Sequence, residues 1–313
     1  MTVTVERAGL QTTIQSKPRT GLRHLGVAAG GAADPLSLAL ANRLLGNAWD
    51  APALEAALLG PTLRFDVDCA FAITGAQATA TVNDIAVEFH ETLLARAGDV
   101  LAIGATEKGA RVYIGVAGGF MADELLGSKS TYLLAELGGH KGRALRDGDT
   151  LFVKPTRVDS LQTPAEFIPP MPASWALRAC ESFETSQLAG DSRDTLFEAN
   201  WTVGRRADRM GLQLDGARLA VFSAGRMPSA PVFPGTVQCP EEGTPYVLSV
   251  DAGTVGGYPR VAQIARVDRH LLGQLRPGDH VRLLRRDQRT GVAELRAKLD
   301  YWGQWLPDVE HVI

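Results

Sequence analysis

Three stretches of this 313-residue chain share one local design: ARAGDVLAIG at 95–104, ALRDGDTLFV at 144–153 and QLRPGDHVRLL at 274–284. Each runs from a basic or apolar lead-in through Gly-Asp into an alternating strand. Glycine adopts positive φ without steric cost, and the aspartate after it bonds to nearby backbone, so Gly-Asp is effective turn chemistry ahead of a strand. The copies are too unevenly spaced for a solenoid. They predict a mainly β protein with minor helix, made of two β-barrel-like halves, in which the second copy closes the first half.

The rest of the chain fits that frame. The 33 glycines against 6% aromatics indicate many tight turns and small side chains between strands. Proline density at 154–175 (KPTRVDSLQTPAEFIPPMPASW) disfavours regular structure and predicts an extended connector. The expected layout is a first barrel at 1–153, the connector at 154–175, a second barrel at 176–286, and a terminal helix and tail at 287–313. Val3 to Ile14 reads as strand, turn at Ala8-Gly9, strand. Asp34 as N-cap, Pro35 at the first helical position and Leu36, Leu40 and Leu44 at four-residue steps predict a helix stopped by Gly46. Asn83-Asp84 separates two apolar alternations and predicts a hairpin. In the second half a helix is expected at 192–200 and strands at 218–222, 246–250 and 261–267. Val292, Leu295, Leu299 and Trp302 share one face of a docked closing helix.

Several classes of function are excluded or disfavoured. The net charge of −3 offers no positive field for nucleic acid. No apolar run reaches the ~18 residues of a membrane span, and the N-terminal residues lack the order of a signal peptide. Cys69, Cys180 and Cys239 are few and far apart, which fits a reducing cytoplasm. Gly127-Ser128-Lys129-Ser130-Thr131 ends like a phosphate loop, but Ala122 stands where its first glycine belongs. Ser223 fails as a nucleophile elbow because Val221 precedes it. The six histidines never fall at ligand spacing, so no metal site is expected. No Met-Lys-Met tripeptide is present to carry covalent biotin.

Several glycine-bearing motifs remain: Gly30–Pro35, Gly115–Phe120, Leu126–Tyr132, Ala207–Leu212 and Asp251–Pro259. Together with ALANRLLGN at 39–47, ALEAALLGPTLRF at 53–65, GRALRDGD at 142–149 and LLGQLRPGD at 271–279, they cover roughly residues 5–285. In these stretches the chain resembles the biotin-dependent carboxyltransferase (allophanate hydrolase subunit 2) family, and within it the group formed by the C-type subunits of bacterial 5-oxoprolinases. The resemblance implies cyclophilin-like barrels and a hydrolase subunit that works with a B-type subunit of the same superfamily and a LamB/YcsF-type A subunit. That complex opens the 5-oxoproline lactam to glutamate using ATP, with Mg, held by the complex. Two alternatives are a carboxyltransferase component of a urea-carboxylase-like system and a non-catalytic regulatory partner. The chain also departs from the family pattern. Ala252, Gly253 and Val255 interrupt the usual D-R-Q-T-T-G-G-Y-P, Ser229–Val232 replaces S-E-G-V, and Lys129 replaces an arginine.

The resemblance implies a small anionic amide as substrate, and the residues themselves support some site for an anion. Arg209 either forks onto a carboxylate or phosphate, or pairs with Asp208 or Asp251. Gly256 and Gly257 bring backbone N–H groups close to an oxyanion beside Thr254 and Tyr258, or simply form a turn ended by Pro259. Lys129, Ser130 and Tyr132 form a second anion contact, or another turn. Asp34 is a base or a helix cap. The expectation is that Asp34, Arg209, Thr254 and Tyr258 act catalytically and that Lys129, Ser130, Tyr132, Gly256 and Gly257 bind substrate or phosphate on one concave surface.

Overall fold

The computed structural model describes residues 1–222 and 227–313; Ser223 lies outside them. The chain divides into two compact units. The first comprises Met1–Arg19, Gly30–Met171 and Trp302–Val312; the second comprises Thr20–Ala29, Pro172–Tyr301 and Ile313. The main passage between them, at Met171–Pro172, falls inside the proline-rich segment.

The first unit contains β1 Thr2–Arg7, β2 Gln11–Gln15, helix α1 Pro35–Leu44, β3 Ala53–Ala57, β4 Thr62–Phe65, β5 Cys69–Val82, β6 Ile85–Ala86, β7 Leu93–Ala95, β8 Val100–Val116 and β9 Thr150–Phe152. The sheet order is β2-β3-β8-β4-β1-β9, with β5 also paired to β8, which gives an open half-barrel with β9 on its edge. Alternating positions of these strands bury Val5, Phe65, Phe71, Leu101, Ile114 and Leu151 in one core. The two opening strands form, yet they pair with different neighbours: β1 with β4 and β9, β2 with β3. The chain crosses between them at Gly9 (φ 75°), where a Cβ would stand 2.4 Å from the Leu59 carbonyl oxygen. The Asn83-Asp84 hairpin is present without its usual glycine. Both residues take positive φ (49° and 66°), and the Asn83 side chain accepts a 3.0 Å bond from Val100 N.

The Gly-Asp repeat proves to be one structural device used three times. In each copy the backbone N–H three residues ahead of the aspartate donates to its carboxylate: Arg96 to Asp99 at 2.7 Å, Arg146 to Asp149 at 2.7 Å, Arg276 to Asp279 at 3.1 Å. Each glycine has positive φ (98°, 85° and 93°). Each glycine N–H also donates to a neighbouring strand, to Phe65, Val5 and Val203 in turn, and the same residue donates back to the aspartate carbonyl. The motif therefore ends the turn and sets the register of the strand pair at once.

The second unit contains β10 Ser174–Glu181, helix α2 Ser192–Glu198, β11 Trp201–Ala207, β12 Gly211–Asp215, β13 Ala230–Pro231, β14 Thr236–Gln238, β15 Tyr246–Leu248, β16 Val255–Gly256, β17 Arg260–Ile264, β18 His280–Arg285 and most of helix α3 Gln288–Gly303. Seven strands close a barrel in the order β10-β17-β14-β15-β12-β11-β18. Leu177, Val203, Leu214, Val237, Val247, Val261 and Val281 are buried on these strands. The mainly β architecture matches the sequence reading; of the two barrels expected, the second is closed, whereas the first is a half-barrel in which the 144–153 copy supplies the edge strand β9 and does not close the sheet.

Three local expectations are corrected. Residues 218–222 form no strand, only a bridge from Val221 to Leu188. Their backbone groups bond separately to Gly243, Ser192, Ala189 and Gln187 instead of to one neighbouring strand. The strand expected to reach residue 267 ends at Ile264 and gives way to a 3-10 helix, Arg266–Gln274. On α3, Trp302 is buried against Phe167, but Val292 stays exposed, and the helix is held in part by Lys298, which donates to the Val267 carbonyl at 3.0 Å.

Candidate functional site

In the first unit, Asp34 caps α1. One carboxylate oxygen accepts from Leu36 N and Ser37 N, both at 3.1 Å, and the other accepts from Ser37 Oγ at 2.5 Å. The residue is 2% exposed. Its backbone N–H donates to Tyr113 Oη (2.8 Å), which donates to Glu55 (2.8 Å); Glu55 also faces Arg111 at 3.3 Å. Burial, with Glu55 beside it, pushes the Tyr113 phenol far above its ordinary pKa, so it remains a neutral donor. This arrangement orients α1 and leaves the Asp34 carboxylate no opening to a substrate. Asp34→Asn, which retains a capping oxygen, should melt close to the parent, whereas Asp34→Ala should lose about 1–2 kcal/mol in denaturant titration. Equal losses in the two variants would contradict the capping role.

The 128–132 segment is bound to the chain at 14–19. Ser130 Oγ accepts from Ser16 N at 2.9 Å and donates to the Lys17 carbonyl at 3.2 Å. Ser128 Oγ donates to the Lys17 carbonyl at 2.6 Å, Thr131 Oγ1 donates to the Ile14 carbonyl at 2.9 Å, and the Arg19 guanidinium donates to the Ser130 carbonyl. Ser130 is fully buried. Tyr132 is half-buried, its backbone paired with Leu137. The hydroxyls that a phosphate would need are therefore engaged with backbone, and the segment does not fit a triphosphate. Lys129 alone reaches open space, a cavity of about 410 Å³ shared with Glu124 and the Lys17–Asp50 pair (3.1 Å). The Gly30–Asp34 and Lys129–Tyr132 stretches meet at Ser16, whose carbonyl also accepts from Ala32 N.

In the second unit, Arg209 occupies the turn between β11 and β12. It is 4% exposed and forks onto Asp251, Nε to Oδ2 at 2.7 Å and Nη2 to Oδ1 at 3.0 Å. Asp251 N returns a 2.8 Å bond to the Arg209 carbonyl. Asp208 completes the turn by accepting from Met210 N and Gly211 N. Of the two sequence readings of Arg209, the structure presents the ion pair. That pair anchors the loop carrying Thr254, Gly256, Gly257 and Tyr258. Val255–Gly256 is a short strand paired with β13, not a plain turn, so Gly256 backbone lies in a ladder. Ala252, at the position where the motif has arginine, is buried against Val232 and Leu248.

Tyr258 lines a cleft of about 620 Å³ on the outside of the barrel, with Arg206, Gln213, Gln238, Glu242 and Tyr246 among its walls. Its floor is a row across successive strands. Gln213 of β12 pairs with Tyr246 of β15, which pairs with Gln238 of β14, while Arg206 directly precedes Ala207, the β11 partner of Leu212. Gln238 is 6% exposed and donates to the Tyr258 carbonyl at 3.2 Å. Two glycines make this packing possible: a Cβ on Gly211 would lie 2.3 Å from the Tyr246 ring, and one on Gly256 would lie 2.5 Å from Gln238 Nε2. Burial raises the Tyr246 phenol above its usual pKa. Sequence reasoning found Tyr258 and Gly256 but missed Arg206, Gln213 and Tyr246. Alternation along each strand could have put them outside the barrel, but nothing local indicates that they are neighbours. Among the described residues no group of three or more His, Cys, Asp or Glu is arranged to hold a metal, and no helix is long and apolar enough to cross a membrane.

A half-barrel and a closed barrel with these motifs define a carboxyltransferase-domain protein. The family described as carboxyltransferase domain, subdomain A and B, matches residues 25–285, and the chain belongs to it. Among curated relatives it is 37% identical to the C-type subunit of 5-oxoprolinase from Escherichia coli (strain K12), over 88% of both chains. It is 30% identical to urea amidolyase of Lachancea kluyveri, covering 90% of this chain and 17% of that protein. Among solved structures, K. lactis urea amidolyase superposes with a TM-score of 0.89 at 25% identity, over 96% of this chain and 20% of that one. TTHA0988 superposes with a TM-score of 0.81 at 33% identity, over 90% of this chain and 56% of that one. The chain thus spans only about a fifth to a half of those two solved chains.

Proposed function

We propose that this chain is the C-type member of a complex that opens the 5-oxoproline lactam: 5-oxoproline, ATP and water give glutamate, ADP and phosphate. The observation that carries this reading is the likeness to the C-type 5-oxoprolinase chain over 88% of both chains, against the 17% of urea amidolyase that the chain covers. A lactam carbonyl is a poor electrophile. Phosphorylating its oxygen lets water attack the carbon, and the site must stabilise negative charge as it develops on oxygen. Among the described residues, neither unit carries a complete nucleophile, base and phosphate cradle. The reading therefore assigns catalysis to a complex with a B-type subunit and a LamB/YcsF-type A subunit, with ATP and Mg held there.

The test is reconstitution. Purified chain alone should release no glutamate from 5-oxoproline and ATP, and the mixture with A- and B-type subunits should release it in step with ADP. Turnover by the isolated chain would overturn the division of labour. A second reading, carboxyl transfer from a biotin carried on another protein, draws on the urea amidolyase likeness. It wins if the mixture is inert toward 5-oxoproline but moves the carboxyl group of a carboxybiotin carrier onto urea, releasing free biotin on the carrier.

A further inference from the structure

We infer that the barrel cleft is a binding site for a small monocarboxylate bearing an amide N–H beside the carboxylate, with Arg206 holding the carboxylate and the Gln238 side-chain carbonyl accepting from the N–H. The choice of 5-oxoproline as probe rests on the proposed function; the chemistry of the cleft does not.

Arg206 and Gln238 stand at opposite ends of the row that crosses β11, β12, β15 and β14. Three strand spacings separate their backbones by roughly 14 Å. An arginine reaching in from one end and a glutamine from the other leave room for a small ligand between them. Arg206 makes no hydrogen bond or ion pair among the described residues. Its guanidinium is therefore a donor set without an acceptor, facing a concave surface. Gln238 is different in kind: it is almost wholly buried yet lines the cleft. Its amide nitrogen is committed to the Tyr258 carbonyl, which orients the amide and leaves the oxygen as the acceptor. No donor to that oxygen occurs among the described residues. The lack of a side chain at Gly256 keeps this orientation open.

The charges on the walls select the ligand further. Glu242 lines the same cleft as Arg206, so one cation faces one carboxylate. With these two charges offsetting each other, the walls hold no surplus of positive charge for a phosphate dianion or a nucleotide. A single carboxylate needs only Arg206, and a neighbouring N–H donor suits the acceptors Gln238 and Glu242.

Calorimetric titration of the full chain tests this. 5-Oxoproline should bind saturably, and 2-pyrrolidinone (no carboxylate), 1-methyl-5-oxoproline (no N–H) and inorganic phosphate should each bind about tenfold more weakly or worse. Arg206→Gln should weaken 5-oxoproline by about tenfold or more without changing 2-pyrrolidinone. Gln238→Leu should weaken 5-oxoproline and not its N-methyl analogue. Gly256→Ala, which crowds the Gln238 amide, should act like Gln238→Leu should that variant fail to fold. Arg282→Gln, an exposed charge elsewhere on the barrel, is the control and should bind as the parent does. Absence of saturable 5-oxoproline binding, tighter binding of phosphate, or indifference to both Arg206→Gln and Gln238→Leu would overturn the assignment. Turnover separates this from the proposed function. A reconstituted complex that opens 5-oxoproline normally with Arg206→Gln defeats the site and leaves the function. A complex inert toward 5-oxoproline, with a chain that still binds it through Arg206, defeats the function and leaves the site.

Discussion

Replacing Arg209 with alanine is expected to cost about 3–5 kcal/mol of stability, the usual result of leaving one member of a buried ion pair uncompensated. The stranded group would be Asp251, which is 4% exposed and receives both prongs of the Arg209 fork. The loss would spread along the loop that starts at Asp251, because Ser249 N and Asp251 N also bond to the carbonyls of Met210 and Arg209. Asp251→Ala should be comparably harmful. Replacing the pair together, Arg209→Met with Asp251→Leu, should recover most of the loss, since desolvation of two charges offsets much of their attraction. Denaturant titration of the four proteins checks this. An unchanged midpoint for Arg209→Ala would return Arg209 to the anion-binding role that the sequence also allowed.

Acidification from pH 6.5 toward pH 4 should destabilise the protein, with the loss beginning above the range in which ordinary carboxylates titrate. Burial lowers the His90 pKa to about 4. His270 lies well below its ordinary value because it is buried beside Lys298 and Arg178, and Lys298 Nζ donates to its Nε2 at 3.1 Å. In the unfolded chain both rings take up a proton near pH 6.5, while in the folded chain they stay neutral. The unfolded state therefore binds more protons over this window, and stability falls as pH falls. For His90 the loss grows to about 3 kcal/mol by pH 4, where the ring begins to titrate in the folded chain; His270 adds to it in the same direction. His90→Asn, which suits the positive backbone φ of 65° at this position, should flatten the profile, and His270→Gln should flatten it further. A stability profile that stays level from pH 6.5 to pH 4.5 would contradict this.

Much of the local structure was legible from residue types. The Asp34-Pro35 start of α1 and the hairpin at Asn83-Asp84 both depend on chemistry within a few residues. The same holds for the three Gly-Asp turns, whose N–H-to-carboxylate bonds span three residues. The strand expected at 218–222 failed because its backbone partners come from several segments, none of which its own composition reveals. The site divided along the same line. Tyr258 and Gly256 were visible because they sit in a glycine-rich motif. Arg206, Gln213 and Tyr246 were not, because each is an ordinary polar residue on its own strand.

Arg209 shows the division most sharply. By itself the sequence determined that a guanidinium would sit in the turn before Gly211, with Asp208 and Asp251 as available partners. Only the tertiary structure decided that Asp251 takes both prongs and removes Arg209 from solvent. Likewise, alternation along β12, β14 and β15 placed Gln213, Gln238 and Tyr246 on one face of their strands, but closure of the barrel set them side by side. The physical reason is common to both. Turn and capping energies are settled by bonds between near neighbours in sequence, whereas an ion pair across 42 residues or a row across four strands exists only once long-range register is fixed.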